Sequence, residues 1–403
     1  MKNSFLKKSA LAVFAIMLLT NCKSQAPKSV SKLEISDKLK WSERLAKTLM
    51  KQHPEAYQID DKKQPKWDYV HGLVMTSFEQ LYKKTDNKAY FDYLKGYYDA
   101  TIQSDGSIPS YKLESYNIDM LPAGNALFYL YEKTNEPQYL QALKTLRSQL
   151  DTHPRTNEGG FWHKKIYPSQ MWLDGLYMGS PFYAQYTLKF EGGKNFDDIA
   201  KQFELVQKNM IDSKTGLLYH GWDESRKMDW ANKETGNSPN FWSRSLGWYV
   251  MALVDVLDYL PENHPKHQEL VTYLNQISEA IAKQQDVSGL WYQVTDQGNR
   301  EGNYLEASGS AMFSYAFAKG ANKGYLPKEY EKIAEKAFDG MIKNLVKVTP
   351  EGHVIITQAC AVAGLGGNPY RDGSYEYYIN ERKKDNDPKA TGPFILAALE
   401  LNK

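Results

Sequence analysis

Cysteine is scarce in this chain, which has only Cys22 and Cys360 among 403 residues. If Cys22 carries a lipid, as its setting indicates, Cys360 is alone and a disulfide cannot form even in an exported protein. Stability must then come from packing, and a content of 42% hydrophobic and 13% aromatic residues can supply a large core. No Pro/Ser/Gly-rich linker divides the chain, so a single domain over residues 36–403 is predicted.

An excess of one charge is also lacking, because 50 basic residues stand against 48 acidic ones. No basic stripe or aromatic-basic RNA motif is visible, which argues against nucleic acid as a partner. The His-Glu-x-x-His zinc signature, the Gly-x-Ser-x-Gly elbow and the P-loop are missing too. These absences argue against metalloprotease, serine hydrolase and nucleotide-dependent activities, and no metal or other cofactor is expected.

A long hydrophobic run is also missing at the N-terminus, where three lysines precede an apolar stretch over residues 10–19. The stretch is too short to span a membrane and is typical of a secretory signal. Residues 19–22 resemble a bacterial lipoprotein cleavage site, except that asparagine stands where a smaller residue is usual. We expect a signal peptide over residues 1–21, a lipid on Cys22 and a tether over residues 22–35. The exported protein would then contact a bacterial membrane, on its periplasmic or outer face, through a lipid anchor only.

Apolar residues recur every three or four positions through most of the chain, which is the spacing of helices. Strand signals are few and lie in the last long connection: the turn over residues 349–352, predicted as a small β-hairpin, and the run over residues 375–379. The twelve predicted helices lie near residues 41–53, 66–83, 87–103, 121–134, 137–152, 168–189, 195–210, 240–260, 266–284, 303–319, 328–346 and 390–402.

The connections between these helices alternate in length. Those after helices two, four, six, eight and ten have roughly two to eight residues, and the others run from about a dozen to some forty. Short loops join antiparallel neighbours, so six helical hairpins would place every long loop at one end. A closed ring of six inner and six outer helices buries both faces. An all-α (α/α)6 barrel is predicted; a helical-repeat solenoid is the alternative, although no sequence repeat is visible.

One acid, Asp174, lies inside the apolar and aromatic stretch over residues 170–178. Its neighbours Trp172, Leu173 and Leu176 would remove water from the carboxylate and penalise its charged form. Such an acid suits a reaction in which a proton is donated and then recovered near neutral pH. The structural alternative is a carboxylate that caps a helix or accepts buried backbone hydrogen bonds.

Other unusual side chains concentrate in the long loops. Asp119, His163 and His220 lie in the second, third and fourth of them, and Arg244 opens the eighth helix. One pocket of aromatic faces and a few charged groups would suit a carbohydrate, and helix N-termini pointing into it would favour an anionic one. Seven of the nine tryptophans lie in the third to fifth long loops or in the turns that follow: Trp162, Trp172, Trp222, Trp230, Trp242, Trp248 and Trp291.

A family resemblance rests on eight separated motifs between about Trp67 and the C-terminus: Tyr116–Asp119, Trp162–Lys164, Gln170–Met178, His220–Asp223, Phe241–Tyr249, Gly289–Gln293, Asn303–Glu306 and Asn386–Lys389. In this order they are similar to glycoside hydrolase family 105, the unsaturated rhamnogalacturonyl hydrolases, and more distantly to the unsaturated glucuronyl hydrolases of family 88. The resemblance implies an (α/α)6 barrel. It also implies an oligosaccharide substrate, made by polysaccharide lyases, that ends in a 4,5-unsaturated uronic acid.

The chemistry that the resemblance implies is hydration of a double bond. An acid protonates C4, water adds at C5, and the resulting hemiketal opens and releases the sugar, so that one carboxylate serves as both acid and base. By position in the motif, Asp174 is that residue. Asp119 matches the second acid, which would hold sugar hydroxyls and, by like-charge proximity, help to keep Asp174 protonated.

The resemblance also implies contacts with the substrate. Arg244 is expected to pair either with the substrate carboxylate or with a neighbouring acid such as Asp223. Tyr69 lines the sugar site or the core, and Lys164 and Lys165 bind a second anionic group or are simply solvated. Each histidine either touches the substrate or is a hydrogen-bonded structural residue. The matched subsite positions are His163, Trp172, His220, Trp242, Arg244 and Trp248.

Two other functions stay open from the sequence. A polysaccharide lyase on a similar toroid would create unsaturated ends, and a non-catalytic glycan-binding lipoprotein would use the same aromatic side chains without a buried acid. The motifs also do not separate pectic rhamnogalacturonan from the sulfated algal polysaccharide ulvan as the source of the substrate.

Overall fold

The computed structural model describes residues 33–403, and Leu33–Lys403 form one compact unit. The predicted signal peptide, Cys22 and the tether up to residue 32 lie outside the described residues. Over residues 33–403, no helix is both long enough and apolar enough to cross a membrane.

All twelve predicted helices are present in the described part of the chain, and a thirteenth, short helix occurs in the last long connection. The helices are α1 (Trp41–Gln52), α2 (Tyr69–Thr85), α3 (Lys88–Thr101), α4 (Leu127–Thr134), α5 (Pro137–Thr152), α6 (Leu173–Phe190), α7 (Phe196–Met210), α8 (Ser243–Leu257), α9 (His267–Ala282), α10 (Ala307–Lys323), α11 (Tyr330–Asn344), α12 (Tyr375–Asn380) and α13 (Pro388–Glu400).

The helices form two concentric rings. Helices α2, α4, α6, α8, α10 and α13 make the inner ring, which closes because α13 packs against both α10 and α2. A 3-10 turn over Pro122–Gly124, just before α4, fills the contact between α2 and α6. Each outer helix packs against one inner helix: α3 on α2, α5 on α4, α7 on α6, α9 on α8, α11 on α10 and α1 on α13. The predicted (α/α)6 barrel is confirmed, and its closure excludes the open solenoid.

The short connections follow from local sequence. Only Asp86 and Asn87 separate α2 from α3. Asp86 takes the left-handed conformation, with φ of 53°, and ends α2, while the side chain of Asn87 accepts a hydrogen bond from the Ala89 amide and starts α3. Short polar side chains tolerate both positions. The long connections therefore emerge together at the opposite end of the barrel.

Within residues 33–403, three small antiparallel pairs of strands stabilise the long connections. The predicted hairpin is confirmed as β3 (Val346–Val348) with β4 (Val354–Ile356). Strand β1 (Gln170–Trp172) pairs with β2 (Gly221–Asp223), so the sixth predicted helix begins later than expected, at Leu173. Strands β5 and β6 are the pair Ala359–Cys360 and Lys383–Lys384.

The prediction of a strand over residues 375–379 is wrong, because this run forms α12. The hydroxyl of Ser374 accepts a hydrogen bond from the Tyr377 amide at 3.1 Å and caps the helix. Buried contacts of Tyr375 and Tyr378 then hold it against the long-loop end of the barrel. Tertiary packing overrides the strand propensity of the tyrosines.

Candidate active site

The strand pair β1–β2 places Asp174 beside His220. Trp172 of β1 lies opposite Gly221 of β2, and the Leu173 amide donates to the carbonyl of His220 at 3.0 Å. Asp174 therefore occupies the first turn of α6 at the long-loop end, with 9% of its surface exposed. The helix-cap alternative does not hold, because Trp172 occupies the N-cap position and no side chain caps the helix there.

Asp174 and His220 form the first carboxylate–imidazole pair. Asp174 Oδ2 and His220 Nε2 lie 3.3 Å apart, close enough for an ion-pair contact. Neither atom is aligned for a hydrogen bond, and both lack a hydrogen-bond partner among the described residues. The other ring nitrogen of His220, Nδ1, lies 2.7 Å from the hydroxyl oxygen of Tyr378. His220 is thus fixed at one nitrogen and free at the nitrogen that faces the acid.

Asp119 and His163 form the second pair. Asp119 Oδ1 lies 3.3 Å from His163 Nε2, and Asp119 Oδ2 lies 2.6 Å from Lys164 Nζ. Burial alone would raise the pKa of Asp119, but Lys164 and His163 outweigh burial and lower it. Burial lowers the pKa of His163 to about 4, so this imidazole is neutral at pH 7. Lys164 is therefore an ion-pair partner rather than a solvated lysine. Its positive charge offsets the negative charge of Asp119, which was expected to help to keep Asp174 protonated.

Trp172 joins the two pairs into one cluster. Its ring stacks on His163 with centroids 4.4 Å apart and meets His220 at 5.6 Å in an edge arrangement. The charges of Asp174 and His220 also act on the pKa of His163. Buried polar atoms normally have partners, and four in this cluster have none among residues 33–403. They are Asp119 Oδ1, His163 Nδ1, Asp174 Oδ2 and His220 Nε2.

The other predicted aromatic residues surround this cluster at different depths. Trp242 packs against His220 with ring centroids 4.8 Å apart and is almost fully buried. Trp248 is equally buried and meets the ring of Tyr69 at 6.3 Å. Burial and the charge of Asp119 raise the pKa of Tyr69, so this residue lies near the second pair. Trp291, in contrast, is buried in the barrel wall, so one pocket does not collect all seven tryptophans.

Arg244 is bound by the protein itself. Its Nε donates to the Ser308 hydroxyl at 2.6 Å, one terminal nitrogen donates to the Cys360 carbonyl, and the same nitrogen lies 3.7 Å from Glu306 Oε1. Burial alone would lower the pKa of Arg244, but Cys360 and Glu306 outweigh burial and raise it. Asp223 is not the acidic partner, because its carboxylate accepts hydrogen bonds from its own loop. A substrate contact of Arg244 stays a prediction.

Two residues of the site were not predicted. Glu306 is fully buried and accepts a hydrogen bond from the Cys360 amide at 2.9 Å, which ties α10 to the C-terminal loop. The motif Asn303–Glu306 contains this residue but does not indicate its contact. Tyr378 lies in the run for which the sequence predicts a strand, and no local pattern marks its contact with His220. No group of three or more acidic, histidine or cysteine side chains within the described residues is arranged to hold a metal ion.

Comparisons with known proteins show the family of this chain. The family model of Glycosyl Hydrolase Family 88 matches residues 41–403. The structure of a family 105 glycoside hydrolase from C. acetobutylicum ATCC 824 is 46% identical, with a TM-score of 0.87, over 90% of this chain and 99% of that chain. The unsaturated rhamnogalacturonyl hydrolase YesR of Bacillus subtilis is 27% identical over 77% of this chain and 84% of that protein.

A third relative is the unsaturated 3S-rhamnoglycuronyl hydrolase of Alteromonas sp. (strain LOR). It is 26% identical over 57% of this chain, and the match covers 50% of that protein. The resemblance seen in the separated motifs is confirmed by these matches, as is the barrel that it implied. The chain is therefore a glycoside hydrolase that belongs to the related families 88 and 105.

Proposed function

We propose that this enzyme removes a terminal 4,5-unsaturated uronic acid from rhamnose-containing oligosaccharides that polysaccharide lyases produce. The observation that carries the proposal is the buried cluster in which Trp172 joins the Asp174–His220 and Asp119–His163 pairs. Its unpartnered oxygen and nitrogen atoms suit a ligand rich in hydroxyl groups. The names of the Bacillus and Alteromonas relatives describe hydrolases of such unsaturated sugars.

The different surroundings of the two acids suggest different roles. Lys164 keeps Asp119 ionised, which suits a carboxylate that accepts hydrogen bonds from sugar hydroxyls. Among the described residues no lysine or arginine pairs with Asp174, whose only ion-pair contact is His220. By position in the family motif over residues 170–178, Asp174 is also the residue that serves as both acid and base. We therefore assign the proton transfer to Asp174.

In the proposed reaction Asp174 gives its proton to C4 of the substrate and the double-bond electrons form the new C4–H bond. Water then adds at C5 and returns one proton to Asp174, so the acid is regenerated. The resulting C5 hemiketal opens when its bond to the ring oxygen breaks and the proton of the C5 hydroxyl passes to that oxygen, which leaves a ketone at C5 and a hydroxyl on the anomeric carbon. The bond from the anomeric carbon to the leaving sugar then breaks, the hydroxyl proton passes to the oxygen of the rhamnose-bearing product, and the anomeric carbon becomes an aldehyde. Only one carboxylate is needed, unlike the paired acid and nucleophile of a standard retaining enzyme. Membership in a hydrolase family favours this reaction over the lyase and the non-catalytic alternatives.

The source of the substrate is tested by offering the purified enzyme two disaccharides made by lyases, one from rhamnogalacturonan and one from ulvan. The double bond conjugated to the carboxylate absorbs ultraviolet light, and its loss reports turnover. A saturated disaccharide of the same sugars, analysed by chromatography, is the control and should stay intact. We expect absorbance to fall with at least one unsaturated substrate. If neither loses absorbance, or if the saturated control is cleaved as fast, the proposed reaction is wrong.

We further propose that the protein is exported and anchored through a lipid on Cys22, which rests on residues 10–22 of the sequence alone. Detergent phase partition of full-length protein from a bacterial host tests this directly. The wild type should enter the detergent phase, whereas Cys22→Ser should stay in the aqueous phase. Identical partition of the two proteins would contradict the anchor.

A further inference from the structure

Tyr378 holds the catalytic-site histidine from the side opposite the acid. Its hydroxyl oxygen lies 2.7 Å from His220 Nδ1, and both side chains are fully buried. The ring of Tyr378 stacks on Trp242 at 5.9 Å, and its carbonyl accepts a hydrogen bond from Gln293 Nε2 at 3.0 Å. Tyr378 thus has a fixed position in α12, an element outside the six helical hairpins.

The direction of the hydrogen bond between Tyr378 and His220 follows from which atom can donate. Burial raises the pKa of Tyr378 well above its usual value, so the hydroxyl keeps its proton. Within residues 33–403, His220 Nδ1 is the one hydrogen-bond partner found for this hydroxyl. A proton on Nδ1 would leave the buried hydroxyl without an acceptor, which is costly. The hydroxyl therefore donates, and a neutral His220 carries its proton on Nε2.

That proton faces the acid, because Nε2 lies 3.3 Å from Asp174 Oδ2. The two atoms are not aligned for a hydrogen bond, but the positive end of an N–H group this close to Oδ2 disfavours a proton on that oxygen, so the proton of Asp174 rests on its other oxygen. In the opposite tautomer, the Nε2 lone pair would face Oδ2 and draw the Asp174 proton toward the imidazole and away from the substrate. The tautomer of His220 thus decides which oxygen of Asp174 carries the proton.

We infer that Tyr378 is a positioning residue that fixes the tautomer of His220 and thereby directs the Asp174 proton away from the imidazole. The inference rests on the proposed function for its catalytic consequence, but the tautomer itself does not depend on any substrate. The groups that face His220 are Asp174, Tyr378 and the aromatic rings of Trp172 and Trp242. His163 is the other titratable side chain close to His220, and the charge of His220 acts on its pKa.

The direct test is nitrogen NMR of 15N-histidine-labelled full-length enzyme without substrate. The 15N chemical shift shows which ring nitrogen carries the proton, and the signals that vanish in His220→Gln identify His220. We expect the proton on Nε2 in the wild type and a shift of the population toward Nδ1 in Tyr378→Phe. A wild-type proton on Nδ1 overturns the inference, even if the variant fails to fold.

The kinetic test compares Tyr378→Phe with Tyr377→Phe. The Tyr377 hydroxyl accepts a hydrogen bond from the Gly364 amide at 3.0 Å, so this control removes a hydroxyl from the same helix without touching His220. We expect kcat of Tyr378→Phe to fall about tenfold with little change in KM, the loss typical of one hydrogen bond. The alkaline limb of its kcat profile should move to higher pH, because the freed Nε2 then stabilises protonated Asp174.

The outcomes separate the inference from the proposed function. If the wild type shows no turnover of either disaccharide, the proposed function fails, while the NMR result still decides the tautomer. If Tyr378→Phe keeps the wild-type tautomer, Tyr378 does not position His220, whatever happens to activity. Tyr378→Phe could instead lose tenfold in kcat with an unchanged pH profile, and Tyr377→Phe could lose the same amount. This result would show that Tyr378 has only a structural role, and it would also overturn the inference.

Discussion

Replacing Arg244 by methionine is expected to lower the free energy of unfolding by about 3–5 kcal/mol, the cost typical of removing one partner of a buried ion pair. Arg244 is 1% exposed and Glu306 is fully buried, so water cannot replace the lost charge. The substitution also removes the hydrogen bonds to Ser308 and to the Cys360 carbonyl, each of which contributes about 1 kcal/mol. Methionine fills similar apolar space, so a cavity adds little to the loss.

A double-mutant cycle isolates the ion pair. Glu306→Gln alone leaves a buried arginine charge uncompensated, and Arg244→Met alone leaves a buried carboxylate uncompensated. The double variant leaves neither, so its loss should be smaller than the sum of the single losses by about 0.5–3 kcal/mol. Urea unfolding followed by tryptophan fluorescence, without substrate, measures all four proteins.

The cycle also distinguishes the two roles expected for Arg244. If the guanidinium served only the substrate carboxylate, Arg244→Met would raise KM and leave the urea midpoint unchanged. Additive losses in the double variant would likewise refute the coupling between Arg244 and Glu306. A large loss of stability in the absence of substrate, with coupling, is the result that the buried contacts require.

Three further predictions concern protonation and backbone strain. Burial lowers the pKa of His153 to about 4, below the unfolded value of about 6.5. Keeping this imidazole neutral therefore contributes about 3 kcal/mol to the free energy of unfolding above pH 6.5, and this contribution is lost as the pH falls toward 4. In urea unfolding, His153→Gln should lose less stability than the wild type between pH 7 and pH 4, and an equal loss would contradict this. Lys164→Met should raise the pKa of Asp119 and move the acid limb of kcat/KM to higher pH, whereas an unmoved limb would speak against the ion pair. Gly236→Ala places a Cβ 2.5 Å from a main-chain oxygen of β2 and should lower the free energy of unfolding by about 1–3 kcal/mol. The control Gly192→Ala is also at positive φ but has open space around it, so it should lower the free energy of unfolding by less in the same assay. Equal losses in the two variants would refute the steric argument.

The barrel was predictable because its signals are local. Apolar periodicity marks each helix, and turn residues such as Asp86 and Asn87 mark the short connections. Strands β1 and β2 have only three residues each and pair across some fifty residues of sequence, so no local pattern reveals them. The tyrosine-rich run of α12 has strand propensity, and only the Ser374 cap and its burial make it helical.

The position of a candidate site residue was predictable where a family motif contains that residue. Asp174, Asp119 and His163 lie together as the family motifs imply. The remaining contacts depend on how the C-terminal loop folds over the barrel. Glu306 binds the backbone of that loop and Tyr378 comes from it, so their roles appear only in three dimensions.

Whether Asp174 alone transfers the proton is measured by comparing Asp174→Asn with Asp119→Asn on an unsaturated disaccharide that the wild type consumes. Asparagine preserves the shape of each side chain, and matching urea midpoints would show that both variants fold. We expect no loss of ultraviolet absorbance with Asp174→Asn, and a slower but measurable loss with Asp119→Asn. If Asp174→Asn keeps most of the wild-type rate, another group carries the proton and the assignment of Asp174 is wrong.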